Sequence, residues 1–182
     1  MTRTTTRRLT KSDWITAGLT ALIEAGPEAL KAEPLARRLG TTKGSFYWHF
    51  ADVPAFHTTL LDAWETQATG DALAAIASRE TPAAKLRHLA QMIAERPDGN
   101  AADPAVRAWA QGNGLAAAAV ARVDAKRLAY MQELLSGLDI DNPEMTRILY
   151  GAGIGMDLLG HSSGGENACA IGSLVDLILA LR

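Results

Sequence analysis

The stretch GTTKGSFYWHF, Gly40 to Phe50, decides how this chain is read. Its eleven positions hold a glycine-bounded turn, a lysine, small hydroxyl residues and the rings of Phe46, Tyr47, Trp48, His49 and Phe50, in a chain only 5% aromatic. A helix from Thr42 to Phe50 puts Phe46 and Phe50 on one side, at i and i+4. Consecutive rings point around the whole helix, so Tyr47, Trp48 and His49 cannot all be buried with them. Exposed rings beside Lys43 suit a ligand surface better than a core.

The neighbouring segments give that helix its setting. Before it, Ile15, Leu19, Leu22 and Ile23 recur on one helical face. Thr10 suits the N-cap, Asp13 suits the positive end of the helix dipole, and Gly26-Pro27 stops the helix, which predicts Lys11 to Ala25. A second helix fits Ala32 to Leu39, with Leu35, Ala36 and Leu39 inward, Pro34 in its first turn and Gly40 closing it. Three short helices, the last two joined by a tight glycine turn, are the helix-turn-helix plan, whose third helix enters the major groove. Thr42, Lys43, Gly44, Ser45, Tyr47, Trp48 and His49 are then left for the outside. Lys43 can donate to guanine edges, hydroxyls can serve bases or phosphates, and Gly44 lets backbone come close to DNA. The first nine residues are polar and basic, and Arg7, Arg8 and Lys11 are candidates for phosphate or minor-groove contacts from an arm.

Charge is distributed accordingly. The whole chain of 182 residues carries a net charge of -2. Residues 1–60 hold eight basic and five acidic residues, +3, and the remainder is -5. A basic head on an acidic body is expected where only the head meets a polyanion.

Residues Leu9 to Trp64 resemble the DNA-binding head of the TetR family of bacterial transcriptional regulators. PLARRLGTTKGSFYWHF, Pro34 to Phe50, is similar to that family's signature, and Tyr47-Trp48-His49 is especially like the tetracycline repressors. The resemblance implies that Lys43, Gly44 and Ser45 face bases, that Tyr47 and His49 hold phosphates, and that Trp48 lies near backbone or base edges. Two positions depart from it. Val53 stands where many members have a lysine opening the fourth helix, and Lys31, counted among the DNA-facing positions, stands where many have Thr or Ser.

After the head, Asp52 caps a fourth helix with Pro54 in its first turn, running through Phe56, Leu60, Trp64, Leu73 and Ile76 towards Ser78. Turn signals then divide an alanine-rich remainder into helices at about 82–95, 104–111, 115–137, 143–160 and 168–181. Period-2 runs rich in Val, Ile or Thr are missing, so the expected fold is all-α. A DNA-binding domain is placed at 1–52 and a helical effector-binding and dimerisation domain at 53–182.

The last helix has an apolar stripe of Ile171, Leu174, Val175, Ile178 and Leu181, with Leu177 and Leu179 making it apolar on nearly all sides. Its predecessor carries glycines, each costing about 1 kcal/mol relative to alanine, which is tolerable where a partner helix approaches closely. Ile148, Gly151, Gly155 and Leu159 join the stripe as the expected homodimer interface, in agreement with the pairing of the last two helices that the resemblance implies. Trp64, Leu89, Met92, Ile93, Trp109, Tyr130, Met131 and Leu134 lie on helices that, by the resemblance, surround an effector cavity. Trp, Met and Tyr there suit an apolar or aromatic small molecule.

Other function classes find little support. His49, His57, His88 and His161 are scattered, with no Glu or Cys at metal spacing, no G-x-S-x-G elbow and no P-loop, so no catalytic residue, cofactor or metal is expected. HSSGGEN has the glycines of a phosphate nest but no lysine. The single cysteine, Cys169, excludes an intramolecular disulfide framework, and a cytoplasmic location is expected. Nothing reads as a membrane span. The reading is therefore a ligand-responsive transcriptional regulator, most simply a repressor, binding palindromic double-stranded DNA as a homodimer. The alternative is a helical protein-interaction module whose head no longer reads DNA.

Overall fold

The computed structural model describes residues 8–71, 76, 79–95, 102–159 and 164–180, and among them all regular structure is helical. α1 (Lys11–Ala25) opens on a capping box. The Thr10 hydroxyl accepts from the Asp13 N–H, and the Asp13 carboxylate accepts from the Thr10 N–H at 2.7 Å. Two N–H groups that a helix start leaves open are thereby satisfied. Gly26, at φ +75°, ends the helix, and Pro27–Ala29 adds one 3₁₀ turn that the sequence pattern does not signal. α2 (Ala32–Arg38), α3 (Lys43–Tyr47) and α4 (Val53–Thr66) follow, the last capped by Asp52 accepting from Ala55 N–H at 2.7 Å.

α4 is shorter than the pattern predicts. Its α-helical bonding ends at Thr66, and Gln67–Asp71 winds into a wider π turn. The local sequence explains the change. The hydroxyls of Thr66 and Thr69 bond back to the carbonyls of Asp62 and Glu65, which weakens and bends the ladder, and Gly70 is a poor helix former. Leu73 and Ser78, expected to continue this helix, lie outside the described residues.

α5 (Pro82–Glu95), α6 (Ala102–Ala110), α7 (Gly114–Ser136), α8 (Pro143–Leu159) and α9 (Gly164–Ala180) occupy the segments that the turn signals predict, with α9 starting earlier than expected. Apolar side chains gather in two cores. One joins the head to the first part of the body: Trp14, Phe46, Phe56 and Trp64 are continuous with Val106 and Trp109 of α6 and Val123 of α7. The other holds α5, the end of α7, α8 and α9 together around Leu86, Leu135, Leu149 and Ile171. Packing therefore runs uninterrupted across residue 52, since α4 lies against both α1 and α7, and α1 lies against α6.

The crossing of α1 over α4 depends on Gly18. A Cβ there would lie 2.6 Å from Leu60 Cδ1 and 2.6 Å from Phe56 Cζ, inside van der Waals contact, and both neighbours are fully buried. Gly18→Ala is expected to destabilise the protein by about 1–3 kcal/mol through overpacking, despite the better helix propensity of alanine. Denaturant unfolding would measure it, and unchanged or raised stability would contradict the packing described.

Candidate nucleic-acid interface

The turn that presents α3 is built by one residue with a left-handed backbone. Gly40 sits at φ +63°, a conformation that costs a side-chain-bearing residue about 1–2 kcal/mol. With it there, Thr41 N–H reaches Ala36 C=O at 2.9 Å and Gly40 N–H reaches Arg37 C=O at 3.2 Å. These two bonds satisfy open carbonyls at the end of α2 and turn the chain sharply. Thr42 then caps α3, its hydroxyl accepting from Ser45 N–H.

Rings fix α3 to the head. Phe46, fully buried, meets Trp14 of α1 edge-on at 5.4 Å between centroids and Phe56 of α4 at 5.3 Å. Phe50 packs on Phe46 at 5.1 Å and on Phe56 at 5.0 Å. Edge-to-face pairs at these separations add roughly 0.5–1.5 kcal/mol each beyond the area they bury. The remaining residues of the stretch face outward: Trp48 is 84% exposed, Tyr47 46%, and Thr42, Lys43 and Gly44 are exposed. Ser45 and His49 are half-buried at the margin, with His49 tilted towards Trp14.

The charged groups of the head divide in the same way. Lys31 is paired with Glu28 at 2.7 Å, Arg37 with Glu33 and Arg38 with Glu24, all on the surface. The Glu24 and Glu28 carboxyls are held below their ordinary pKa range, chiefly by hydrogen bonds from Arg38 and Lys31. Lys43 and Arg8 have no ion-pair partner among the described residues, and Lys11 lies over the Phe50 ring at 5.5 Å. Lys43 is thus a free cation on the same short helix as two exposed rings, whereas Lys31 must leave Glu28 to meet a phosphate. Arg7 lies outside the described residues. Val53 is half-buried against the head core as the first residue of α4.

Comparison with known proteins bears on this surface. Residues 15–52 match the family model for bacterial regulatory proteins of the tetR family. Over that stretch the chain is similar to the head of the tetR family. Its fold is shared along nearly the whole length. A TetR-family transcriptional regulator from Streptomyces coelicolor superposes with a TM-score of 0.76 at 18% identity, covering 93% of this chain and 88% of that one. A transcriptional regulator from Rhodococcus sp. Rha1 gives 0.71 at 16% identity, covering 95% of each. The fatty acid degradation regulator FadR from Bacillus halodurans gives 0.72 at 14%, covering 93% and 94%. A search of curated proteins found no match.

Behind the tetR-family head, the residues expected to line an effector cavity are divided. Trp64 and Trp109 belong to the core shared with the head, whereas Met131 is buried in the other core and Leu89 packs against it. Leu134 is buried, Tyr130 is half-buried, and the side chains of Met92 and Ile93 lie outside the described part. The residues expected at a partner interface also separate. Ile171, Val175 and Ile178 are buried within the chain, and Leu174 packs against the same core, because α9 covers α5 with this stripe. Left outside are Ile148, Gly151 and Leu159 of α8 and Leu177 of α9, with Ile148 56%, Leu159 73% and Leu177 60% exposed. Gly155 is half-buried, and a Cβ added to Gly151 or Gly155 would meet nothing within 4 Å. Leu181 lies outside the described residues.

Sequence reasoning passed over two polar features of the body. His57, on α4, places Nε2 3.0 Å from Leu30 C=O and its ring edge-on to Trp109 at 5.0 Å, so one side chain touches α4, the turn before α2, and α6. The second is a set of charges around the buried Asp103, its other members half-buried: Asp103 and Arg107 on α6, Asp124 and Arg127 on α7, and Tyr150 on α8. Only the i,i+4 spacing of Asp103 and Arg107 was visible in sequence. Their other partners are 17 or more positions away.

Gly44 separates the needs of folding from those of recognition. A Cβ there meets only the Thr42 hydroxyl, at 3.7 Å, so the fold leaves room for a side chain. Gly44→Ala should leave stability unchanged or raise it by up to about 1 kcal/mol, while weakening DNA binding by obstructing close approach. Thermal unfolding and a DNA titration on one sample would check both, and a variant binding DNA as well as the parent would refute this role.

Proposed function

We propose that the protein is a transcriptional regulator that binds a palindromic duplex as a homodimer through residues 1–52 and responds to a small molecule through residues 53–182. The observation that carries the DNA-binding reading is the division of α3 and the residue after it into a buried side anchored by Phe46 and an exposed side of Lys43, Tyr47 and Trp48. Apolar anchoring fixes the helix, and the exposed side chains can then meet a groove with little further loss of freedom. Lys43, Gly44 and Ser45 face base edges in this reading, Tyr47, Trp48 and His49 hold the backbone beside them, and Arg8 and Lys11 add phosphate contacts from the arm.

Dimerisation supplies the second half of the site. Ile148, Gly151, Gly155 and Leu159 recur at three- and four-residue spacing on one face of α8. That face is apolar, largely exposed, and offers open backbone at two glycines. It suits a second copy of the same chain, and two heads roughly 34–36 Å apart would match successive major grooves. An apolar or aromatic effector is supported by the tryptophans, and its polar portion by two groups: Trp64 Nε1 and the Tyr130 hydroxyl are buried without a hydrogen-bond partner among the described residues. Binding in the body would favour a head separation that no longer fits the palindrome, so the protein acts as a repressor released by its ligand.

Selection from a random duplex pool tests the reading. Enrichment of a palindrome is expected, with log affinity falling steeply against log salt as phosphate contacts release counterions. Lys43→Ala should lose about 1–3 kcal/mol on the enriched duplex and relax one base preference. A folded protein that enriches nothing, or binds with little salt dependence, would instead support a protein-interaction module.

A further inference from the structure

The half-buried charges around Asp103 form a connected chain between the π turn after α4 and α8. At one end, the π turn after α4 leaves the Ala68 carbonyl facing α7, where it accepts from Arg127 Nε at 3.3 Å and Nη2 at 3.2 Å. Arg127 Nη1 lies 3.0 Å from one oxygen of Asp103 on α6, and the other Asp103 oxygen accepts from Arg107 Nε at 2.7 Å. Arg107 continues with a forked contact to both oxygens of Asp124 on α7, Nη1 at 3.1 Å. Asp124 accepts from the Tyr150 hydroxyl at 2.6 Å, which brings the chain to α8. Three helices and the π turn are joined by five side chains, two cationic, two anionic and one phenolic.

Why such a chain should exist is a physical question, since it adds little net stability. Desolvating two ion pairs offsets most of their attraction, and apolar residues of similar volume commonly do as well. Burial works against the charged forms of Arg107 and Asp124, and the hydrogen bonds and charges of all their neighbours, Asp103, Arg127 and Tyr150 included, together outweigh it. What the chain does provide is direction. Forked guanidinium contacts tolerate one relative placement of the groups they join, whereas an apolar contact tolerates sliding. The π turn points the same way, because such turns are frequent at working parts of proteins. Here the Ala68 carbonyl of that turn is the one Arg127 holds. Beside it, Glu65 of α4 binds Arg122 and Lys126 of α7, both at 2.9 Å, which ties down the same end of α4 from the surface.

We infer that Arg127, with Asp103, Arg107, Asp124 and Tyr150, is a positioning unit for DNA binding: it sets the placement of α4, and hence of the head, relative to α8. This rests on the proposed reading of the protein as a DNA-binding dimer. None of the five residues touches DNA in that reading. Tyr150 is on α8 but half-buried, its hydroxyl turned to Asp124. The unit fixes the separation of two heads and leaves the chemistry of each head alone.

Binding to two duplexes separates the possibilities: the duplex enriched by the full-length protein, and the same duplex with one half-site scrambled. Two variants are used. Tyr150→Phe keeps the ring and breaks the end of the chain. Arg127→Met combined with Asp103→Asn breaks the middle without leaving a buried charge unpaired. Both are expected to lose about tenfold or more on the two-half-site duplex while changing less than about twofold on the single half-site, with dimerisation intact. Equal losses on both duplexes would mean damage to the head itself and would overturn the inference. Unchanged affinity of Tyr150→Phe and of the double variant for the full duplex would overturn it as well. If the parent protein enriches no duplex, the regulatory reading fails and the inference falls with it, an outcome distinct from a binding-competent parent with indifferent variants.

Discussion

Everything at the exposed end of the head depends on one cluster of rings. α3 is only five residues long, far too short to hold its shape alone, because helix nucleation is unfavourable and a single turn recovers little of the loss. It is held by Phe46 and Phe50, wedged between Trp14 of α1 and Phe56 of α4. The same wedge decides which way the rest of α3 points. Once Phe46 is buried, Tyr47 and Trp48 have no inward position left, and their exposure follows from the anchoring of their neighbours. The large exposed indole of Trp48 is thus a consequence of how the head is packed.

α4 carries that arrangement into the body. Its first half belongs to the ring cluster through Phe56, its middle lies under Gly18 of α1, its last turn is gripped by Arg122 and Lys126 of α7, and the π turn after it by Arg127. His57 adds a lateral tie from the turn before α2 to Trp109. With apolar packing at the head end and charged contacts at the other, α4 has little freedom to turn independently. In the proposed reading, these contacts are the route by which a shift of α7 would reach the head.

The legible part of this molecule was the part set by local chemistry. Capping at Thr10, the stop at Gly26, the turn at Gly40 and the sorting of Phe46 from Trp48 all follow from residues within a few positions of one another. They were read correctly, as were the segments of α5 to α8, whereas the helix expected from Thr42 to Phe50 spans only Lys43–Tyr47. What was missed required knowledge of neighbours. The stripe Ile171, Val175, Ile178 was recognisable as one face of a helix, but periodicity does not say whether a partner chain or α5 covers it, and α5 does. The end of α4 went unnoticed because Thr66 and Thr69 look acceptable in a helix until their hydroxyls take the carbonyls. The contacts from Arg107 to Asp124 and from Asp124 to Tyr150 span separations at which no sequence pattern operates.

The central claim is that the face bearing Trp48 meets DNA, and the tryptophans offer a direct test. Of the four in the chain, Trp14, Trp64 and Trp109 are buried and Trp48 is open to solvent. Collisional quenching by a small uncharged quencher should find one readily accessible tryptophan, absent from Trp48→Phe. Adding the duplex enriched by the protein should shield it. Loss of the accessible component on binding is the predicted result, and a Trp48 that remains equally quenchable in the complex would contradict the account.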